Sequence, residues 1–123
     1  MRFTLPLPPP LNACYGVTTS RQGRPYSYKR NPAKAWERDA QLLIYQQLGK
    51  LNPIESKVSL TVELYLVRDR DIDSSHKLLL DTLQSVNMIK NDKQIIELNT
   101  KKVYPAKEPR IVVELLNVGT TTP

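Results

Sequence analysis

The amino-acid sequence predicts a single α/β (α+β) domain with one mixed four-stranded sheet and two main helices. Three observations support this fold class: a helical apolar stripe, a strongly alternating strand, and a length of 123 residues, which suits one domain. The predicted elements follow the order β–loop–α–β–α–β–β, which favours helices packed on a sheet. Apolar residues make up 40% of the chain, which is enough for a folded core and too many for a disordered protein.

The N-terminal segment, residues 2–7, predicts an edge strand. Its apolar residues alternate with others, and Pro6 cannot donate a hydrogen bond to a neighbouring strand. Prolines at positions 8–10 then end the strand. Residues 11–30 mix glycine, basic and aromatic side chains, and they predict a long basic loop of the kind that often carries function.

The segment after this loop predicts the most regular helix of the chain. Asn31 suits the N-cap position, Pro32 suits the first helical position, and Gly49 suits the C-cap. Apolar residues recur at helical spacing and form one stripe that would face the core. The stripe consists of Trp36, Ala40, Leu43, Ile44 and Leu48.

The second half of the chain predicts three strands and a second helix. Residues 57–67 alternate with a period of two, so every second side chain faces the core. Residues 74–85 predict the helix, because leucines line one of its faces. Residues 94–104 and 110–116 predict two further strands, which we expect to be antiparallel neighbours.

The charge balance favours a polyanionic partner, because the formal net charge is +6 and the isoelectric point is near 9.6. Many basic proteins bind no nucleic acid, so this signal needs support from motifs. Cys14 is the only cysteine and His76 the only histidine, which excludes an intrachain disulfide and a zinc knuckle. The apolar segments are too short to span a bilayer, so we expect a soluble, cytoplasmic protein without a membrane partner.

The sequence RDRDIDSSHK, residues 68–77, concentrates acid at the end of the predicted strand. In extended backbone, residues i and i+2 point to the same side, so Asp71 and Asp73 would face one point. Two converging carboxylates repel each other unless a cation lies between them, and Mg²⁺ and Mn²⁺ prefer such oxygen ligands. For this pair alone, a solvated turn with surface ion pairs is the competing interpretation.

Other charged residues lie close to this pair in the sequence. If Asp73 or Ser74 caps the following helix, Lys77 lies near the cap and can contact a phosphate. The helix and the turn after it could return Asp92 to the strand end as a third carboxylate. Asp81 is typical of a surface ion pair with Lys77, and the neighbouring His76 is typical of an exposed residue rather than a general base.

Taken together, these residues resemble the RusA family of Holliday junction resolvases. That family carries D-x-D-N-x-x-K, an aspartate four residues later, and a distant D-D-x-Q-[IV]. The opening Leu5-Pro6-Leu7-Pro8-Pro9, with Asn12 and Tyr15, is also similar to the family's N-terminus. Two positions depart from the pattern: Ser74 stands in place of Asn, and Asn91 in place of the first aspartate of the later pair. The matching residues are Asp71, Asp73, Lys77, Asp81, Asp92, Gln94 and Ile95.

The resemblance implies a homodimeric endodeoxyribonuclease of phage or prophage type that depends on Mg²⁺ or Mn²⁺. Such an enzyme resolves four-way DNA junctions by paired symmetric nicks in recombination and repair, in the cytoplasm of a bacterium or of a phage-infected host. It uses no small-molecule cofactor. The metal-binding carboxylates would be Asp71, Asp73 and Asp92, and the essential lysine Lys77. Residues 1–117 would form the nuclease domain, and residues 118–123 a disordered tail.

The basic loop is expected to contact the DNA, with phosphate contacts from its cations and stacking from a tyrosine. Two alternatives remain: a metal-dependent nuclease for flaps or forks, and a non-enzymatic basic protein whose aspartates only cap a helix. The second alternative does not explain why all four predicted catalytic residues are present. The expected DNA-contacting residues are Asn12, Tyr15, Arg21, Arg24, Lys29, Arg30 and Lys77.

Overall fold

The computed structural model describes residues 1–119, which form a four-stranded mixed sheet, a helical layer packed on it, and a separate two-stranded hairpin. The predicted fold class is confirmed, with α2 and α3 as the two main helices. The elements are β1 (Arg2–Leu5), α1 (Leu11–Cys14), β2 (Tyr15–Thr19), β3 (Pro25–Lys29), α2 (Asn31–Leu48), β4 (Val58–Tyr65), α3 (His76–Ser85), a 3₁₀ turn (Asp92–Gln94), β5 (Ile95–Val103) and β6 (Arg110–Asn117).

The sheet has the strand order β1–β6–β4–β5, in which β4 and β5 are parallel and the other neighbours antiparallel. The prediction that β5 and β6 are antiparallel neighbours is therefore wrong, since β4 separates them. β6 carries the buried residues Ile111, Val113 and Leu115, and it lies inside the sheet between β1 and β4. β5 carries the exposed residues Glu97 and Asn99 and takes the edge.

The core lies between β4 and the helices, as the two apolar periods predicted. Alternate residues of β4, from Val58 to Leu64, are at most 1% exposed. Ala33, Trp36, Ala40 and Ile44 of α2 pack into the same core. The predicted C-cap is confirmed, because α2 ends before Gly49, whose φ of 74° lies in the left-handed region. The N-cap is Arg30 rather than Asn31.

The proline segment after β1 is held by side chains. Proline has no backbone N–H, so the four prolines of this segment offer only acceptors. The Trp36 indole donates to the carbonyl of Pro6 at 3.0 Å, and the Cys14 thiol donates to that of Pro9 at 3.2 Å. These bonds fix the segment against the helical layer and direct the chain towards α1.

The predicted loop at residues 11–30 is wrong, because the segment forms α1 and a β2–β3 hairpin. Most side chains of this hairpin are exposed, so its strands show no alternation of apolar and polar residues from which they could be predicted. Gly16 lets the Tyr28 ring of the opposite strand lie against the backbone, since a Cβ at this position would be 2.5 Å from that ring and would displace it. Gly23, with φ of 80°, makes the turn at the tip.

The N-terminus of α3 also differs from the prediction. The helix begins at His76, and its N-cap is Ser75 rather than Asp73 or Ser74. At the other end of the chain, the Val118 amide donates to the Lys57 carbonyl at 3.0 Å, while residues 120–123 of the predicted tail lie outside the described residues. No helix within residues 1–119 is both long and apolar enough to cross a membrane.

Candidate functional site

The acidic stretch forms an irregular segment between β4 and α3 and does not continue the strand. Residues 72–75 form turns, in which the Ser74 amide donates to the Asp71 carbonyl at 3.2 Å. The His76 amide donates to the Asp73 carbonyl at 3.4 Å. The strand alternation that predicted two converging carboxylates therefore does not apply. Both aspartates are nevertheless exposed, so their carboxylates are accessible to a ligand.

A pocket of about 420 Å³ opens beside Asp71. Leu11 and Asn12 of α1 line it together with Asp71 and Ser74. Asn12 and Asp71 are far apart in the sequence, and the first was predicted to contact DNA and the second to hold a metal. The fold brings them to one pocket, where a carboxylate and a side-chain amide offer both acceptors and donors.

Arg70 joins the acidic segment to the proline segment at residues 6–10, which we call the proline strap. Its Nη1 donates to the Pro8 carbonyl at 2.6 Å and lies 3.5 Å from the Ser75 hydroxyl. Burial lowers the pKa of the Arg70 guanidinium, and these oxygens compensate its partial loss of solvent. Sequence analysis missed this role, because nothing in the pattern distinguishes Arg70 from its exposed neighbour Arg68.

Lys77 lies in the first turn of α3 and rests on an aromatic ring. Its ammonium is 4.1 Å from the centre of the Tyr15 ring, which is the geometry of a cation–π contact. The Tyr15 hydroxyl donates to Asp81 Oδ2 at 2.6 Å. Burial and the Asp81 carboxylate raise the pKa of Tyr15, so the phenol stays neutral and acts as a donor.

The base of the hairpin is tied to two helices by ion pairs. Lys29 Nζ lies 2.5 Å from Glu37 Oε1 on α2 and 3.9 Å from Asp81 Oδ2 on α3. The neighbouring Arg30 donates to the Asn12 carbonyl at 3.3 Å. Lys29, which was predicted to contact DNA, therefore has structural partners on both helices. Asp81, which was expected to pair with Lys77, contacts the hairpin instead.

The tip of the hairpin carries two exposed cations of the predicted set. Arg21 and Arg24 are exposed in the turn that Gly23 closes. Tyr26 and Tyr28 lie on one face of the hairpin, because they are two residues apart on β3. The hairpin therefore combines charge for phosphates at its tip with flat aromatic surface along β3.

Asp92 lies at the opposite end of the sheet from Asp71. It starts the 3₁₀ turn that leads into β5, and β5 runs parallel to β4 from Val58 onwards. Asp71 follows the other end of β4, and an eight-residue strand spans roughly 25 Å. The expected return of Asp92 to the strand end is therefore wrong within a single chain.

The turn around Asp92 is held by its neighbours. The Asn91 side chain accepts from the Lys93 amide at 2.8 Å, so the departure from aspartate preserves a capping residue. Gln94 Oε1 accepts from the amides of Lys90 and Asn91, and its Nε2 donates to the Ser56 carbonyl at 2.9 Å. The exposed Asp92 carboxylate is not used by any of these bonds.

The donor set suits a hard divalent cation in kind but not in number. Carboxylate oxygens are the ligands that Mg²⁺ and Mn²⁺ prefer. Within the described part of the chain, however, no group of three or more acidic, histidine or cysteine side chains is placed to hold a metal. One chain supplies Asp71 and Asp73 at one end of the sheet and Asp92 at the other.

Two further residues near the site have structural partners. His76 Nε2 lies 2.7 Å from the Thr100 hydroxyl of β5, and its Nδ1 is buried, so the expectation of a solvent-exposed histidine is wrong. Asp69 pairs with Lys102 at 2.7 Å, and this ammonium lowers the pKa of the carboxyl. Asp69 therefore forms a surface ion pair with Lys102, which links the acidic segment to β5.

A comparison with protein-family models identifies the family of the chain. The model described as Endodeoxyribonuclease RusA matches residues 16–116, a span that runs from β2 to β6. The matched span contains Asp71, Asp73, Lys77 and Asp92. A search of curated proteins finds no match. Because the model covers most of the chain, the protein belongs to the RusA endodeoxyribonuclease family, whose activity makes it a nuclease that binds branched DNA.

Proposed function

We propose that this protein is a homodimeric, Mg²⁺- or Mn²⁺-dependent resolvase that cuts four-way DNA junctions by paired symmetric nicks. It would act in recombination and repair, in the cytoplasm of a bacterium or of a phage-infected host. The observation that carries the proposal is the placement of Asp71, Asp73 and Lys77 on one exposed segment beside the basic hairpin. Acidic ligands for a cation thus lie next to a surface that suits a phosphate backbone.

Each carboxylate and the lysine have distinct tasks in this proposal. Asp71 and Asp73 hold the divalent ion, which supplies a nucleophilic water and relieves charge on the phosphate when bound. Lys77, at the start of α3, places a cation where negative charge develops during hydrolysis. Asn12 and Arg70 shape the pocket beside Asp71 and keep its wall in place.

A dimer formed through β5 would complete the set of ligands. β5 is the last strand of the sheet and exposes Ile96 by 58% and Leu98 by 45%. Because β4 is the one neighbour of β5 in the described sheet, the other edge of β5 is free to pair with a second strand. Antiparallel pairing about a two-fold axis puts the start of one β5 beside the end of the other. Asp92 of the partner subunit would then lie near Asp71.

The same two-fold axis matches the substrate. A four-way junction is nearly two-fold symmetric, so paired nicks in opposed strands require two equivalent sites. Each hairpin would contact one arm of the junction, with Arg21 and Arg24 on phosphates and Tyr26 or Tyr28 available to stack on an unpaired base.

A cleavage assay on defined substrates tests the proposal. Labelled four-way junction, flap and linear duplex are incubated with the protein in Mg²⁺, Mn²⁺ or EDTA. We expect paired nicks on the junction with either metal and none in EDTA. Preferential cutting of the flap would reassign the substrate. Salt-sensitive binding without cleavage would instead identify a non-enzymatic binding protein and overturn the proposal.

A matched pair of variants tests the ligand assignment. Asp73→Asn should abolish cutting while junction binding is kept or strengthened, because one negative charge near the phosphates is lost. Asp39→Asn, at an exposed position on α2, is the control and should cut as the wild type does. Wild-type cleavage by Asp73→Asn would remove Asp73 from the metal site.

A further inference from the structure

Lys77 and Asp81 are four residues apart on α3, a spacing at which opposite charges commonly pair. In the described residues, however, no carboxylate lies within 4.0 Å of the Lys77 ammonium. Asp81 instead accepts from the Tyr15 hydroxyl at 2.6 Å, and Lys29 lies 3.9 Å away on the same oxygen. The ammonium of Lys77 rests on the Tyr15 ring.

Tyr15 therefore contacts both members of a potential ion pair and separates them. Its ring lies under the lysine, and its hydroxyl holds the aspartate. A π face attracts an ammonium without supplying a lone pair or a formal negative charge, so the N–H donors on the far side stay free. A salt bridge to Asp81 would instead use one of those donors and offset the positive charge.

We propose that Tyr15 is a positioning residue that keeps Lys77 available to the scissile phosphate by withdrawing Asp81 and supporting the ammonium on its ring. This inference rests on the proposed function, because it concerns the phosphate-facing lysine of the same site. It changes the expected role of Tyr15 from a DNA-stacking residue to a support for the lysine.

The position of Tyr15 in the chain adds a consequence. Tyr15 is the first residue of β2, and its cross-strand partner is Lys29, which pairs with Glu37 of α2. The hairpin base, α2 and α3 thus meet around Asp81. The contact between Tyr15 and Lys77 depends on the position of the β2–β3 hairpin. The hairpin, which is expected to bind DNA, therefore also positions Lys77 in the proposed active site.

Kinetics of three variants at Tyr15 test the inference. Tyr15→Leu removes both the ring and the hydroxyl, and we expect kcat on the junction to fall by about tenfold to a hundredfold, with KM changed little. Tyr15→Phe keeps the ring under Lys77 but frees Asp81, so kcat should lie between those of Tyr15→Leu and the wild type. Tyr15→Met fills much of the same volume without a π face, and it replaces Tyr15→Leu if that variant fails to fold. The control Tyr45→Leu, at an exposed site on α2, should leave kcat unchanged.

A second-site change separates support of the lysine from general damage. If the loss in Tyr15→Leu arises because Lys77 pairs with Asp81, then adding Asp81→Asn should restore part of the lost kcat. A merely structural role for Tyr15 predicts no such recovery, since the second change removes a further contact. A rise in KM at constant kcat in Tyr15→Leu would overturn the inference and return Tyr15 to the DNA-binding surface.

A measurement on the free protein distinguishes failure of the inference from failure of the proposed function. The aromatic ring should shift the NMR signal of the Lys77 εCH₂ group in the absence of DNA and metal. We expect Tyr15→Phe to keep this shift and Tyr15→Leu to abolish it. An unaltered shift in Tyr15→Leu overturns the inference even if junctions are cut. If Tyr15→Leu loses the shift but the wild-type protein cuts no DNA, the contact between Tyr15 and Lys77 stands and the resolvase function is overturned.

Discussion

The two ends of the sheet each carry predicted catalytic aspartates, and they are built in opposite ways. At the end of β4 that leads to Asp71, distant segments meet: the proline strap, α1, the hairpin base and α3. At the end where β5 begins, Asp92 lies in a compact turn that Gln94 closes almost by itself. One end is a cleft assembled from many segments, whereas the other is a local turn that presents a single carboxylate.

This difference bears on how the site becomes complete. A local turn can project a carboxylate towards a second molecule without reorganising its own core. A cleft assembled from many segments can receive it. The exposed β5 edge between the two ends offers the surface through which two copies could meet. Each of the following predictions changes one end, or the edge that separates them.

The largest effect is expected from mixed dimers of two inactive variants. If each site takes Asp73 from one chain and Asp92 from the other, a dimer of Asp73→Asn with Asp92→Asn contains one intact site and one doubly altered site. Mixing the two inactive proteins should then restore single nicks to junctions, measured on denaturing gels. The control mixture of Asp73→Asn with Asp71→Asn should stay inactive, since both changes lie at the same end. No recovery in the first mixture would mean that Asp92 does not complete the site across a dimer.

A charge on the β5 edge should separate the two ends of different chains. Under the proposed dimer, Leu98→Lys places an ammonium on β5 of each chain, and the two like charges would lie close together across the two-fold axis and oppose pairing of the strands. We expect a monomer by light scattering, with cleavage reduced by more than about tenfold at the same concentration. Leu42→Lys, at an exposed site on α2, should remain dimeric and active. A dimeric Leu98→Lys would move the interface away from β5.

Loss of Arg70 should destabilise the cleft beside Asp71 without changing the turn that holds Asp92. Arg70→Met removes the donor to the Pro8 carbonyl and should lower the free energy of unfolding by about 1–3 kcal/mol. Urea denaturation measures this change. Arg68→Met removes an exposed charge two residues away and should cost less than about 0.5 kcal/mol. Equal effects of the two substitutions would show that the bond to the proline strap contributes little.

The smallest effect is expected at the local end. Asn91→Asp keeps a capping side chain and adds one negative charge next to Asp92, so stability should change by less than about 0.5 kcal/mol. Under the proposed metal dependence, the Mg²⁺ concentration for half-maximal cleavage should fall by a few-fold, because the added charge attracts the cation. A titration of cleavage against Mg²⁺ measures the shift. A higher requirement would mean that the added charge disturbs the turn.

The sequence by itself determined the elements that have a strong apolar period. The alternation in β4 and the stripe of α2 predicted a strand and a helix that the structure contains, with Gly49 ending the helix. The fold class and the family also came from the sequence, whereas the structure is what places Asn12, an expected DNA contact, beside Asp71, an expected metal ligand. Periodicity works for these elements because it reflects which face of a single segment contacts the core.

Only the tertiary structure decided which segments meet. The hairpin of β2 and β3 had no apolar period to reveal it, because most of its side chains remain in solvent. The position of Asp92 depends on the parallel pairing of β5 with β4, and the role of Arg70 depends on the Pro8 carbonyl, 62 residues away in the sequence. Such contacts depend on strand order and on long-range packing, which no local pattern encodes. The same reason explains why Tyr15, rather than Asp81, was found beside Lys77.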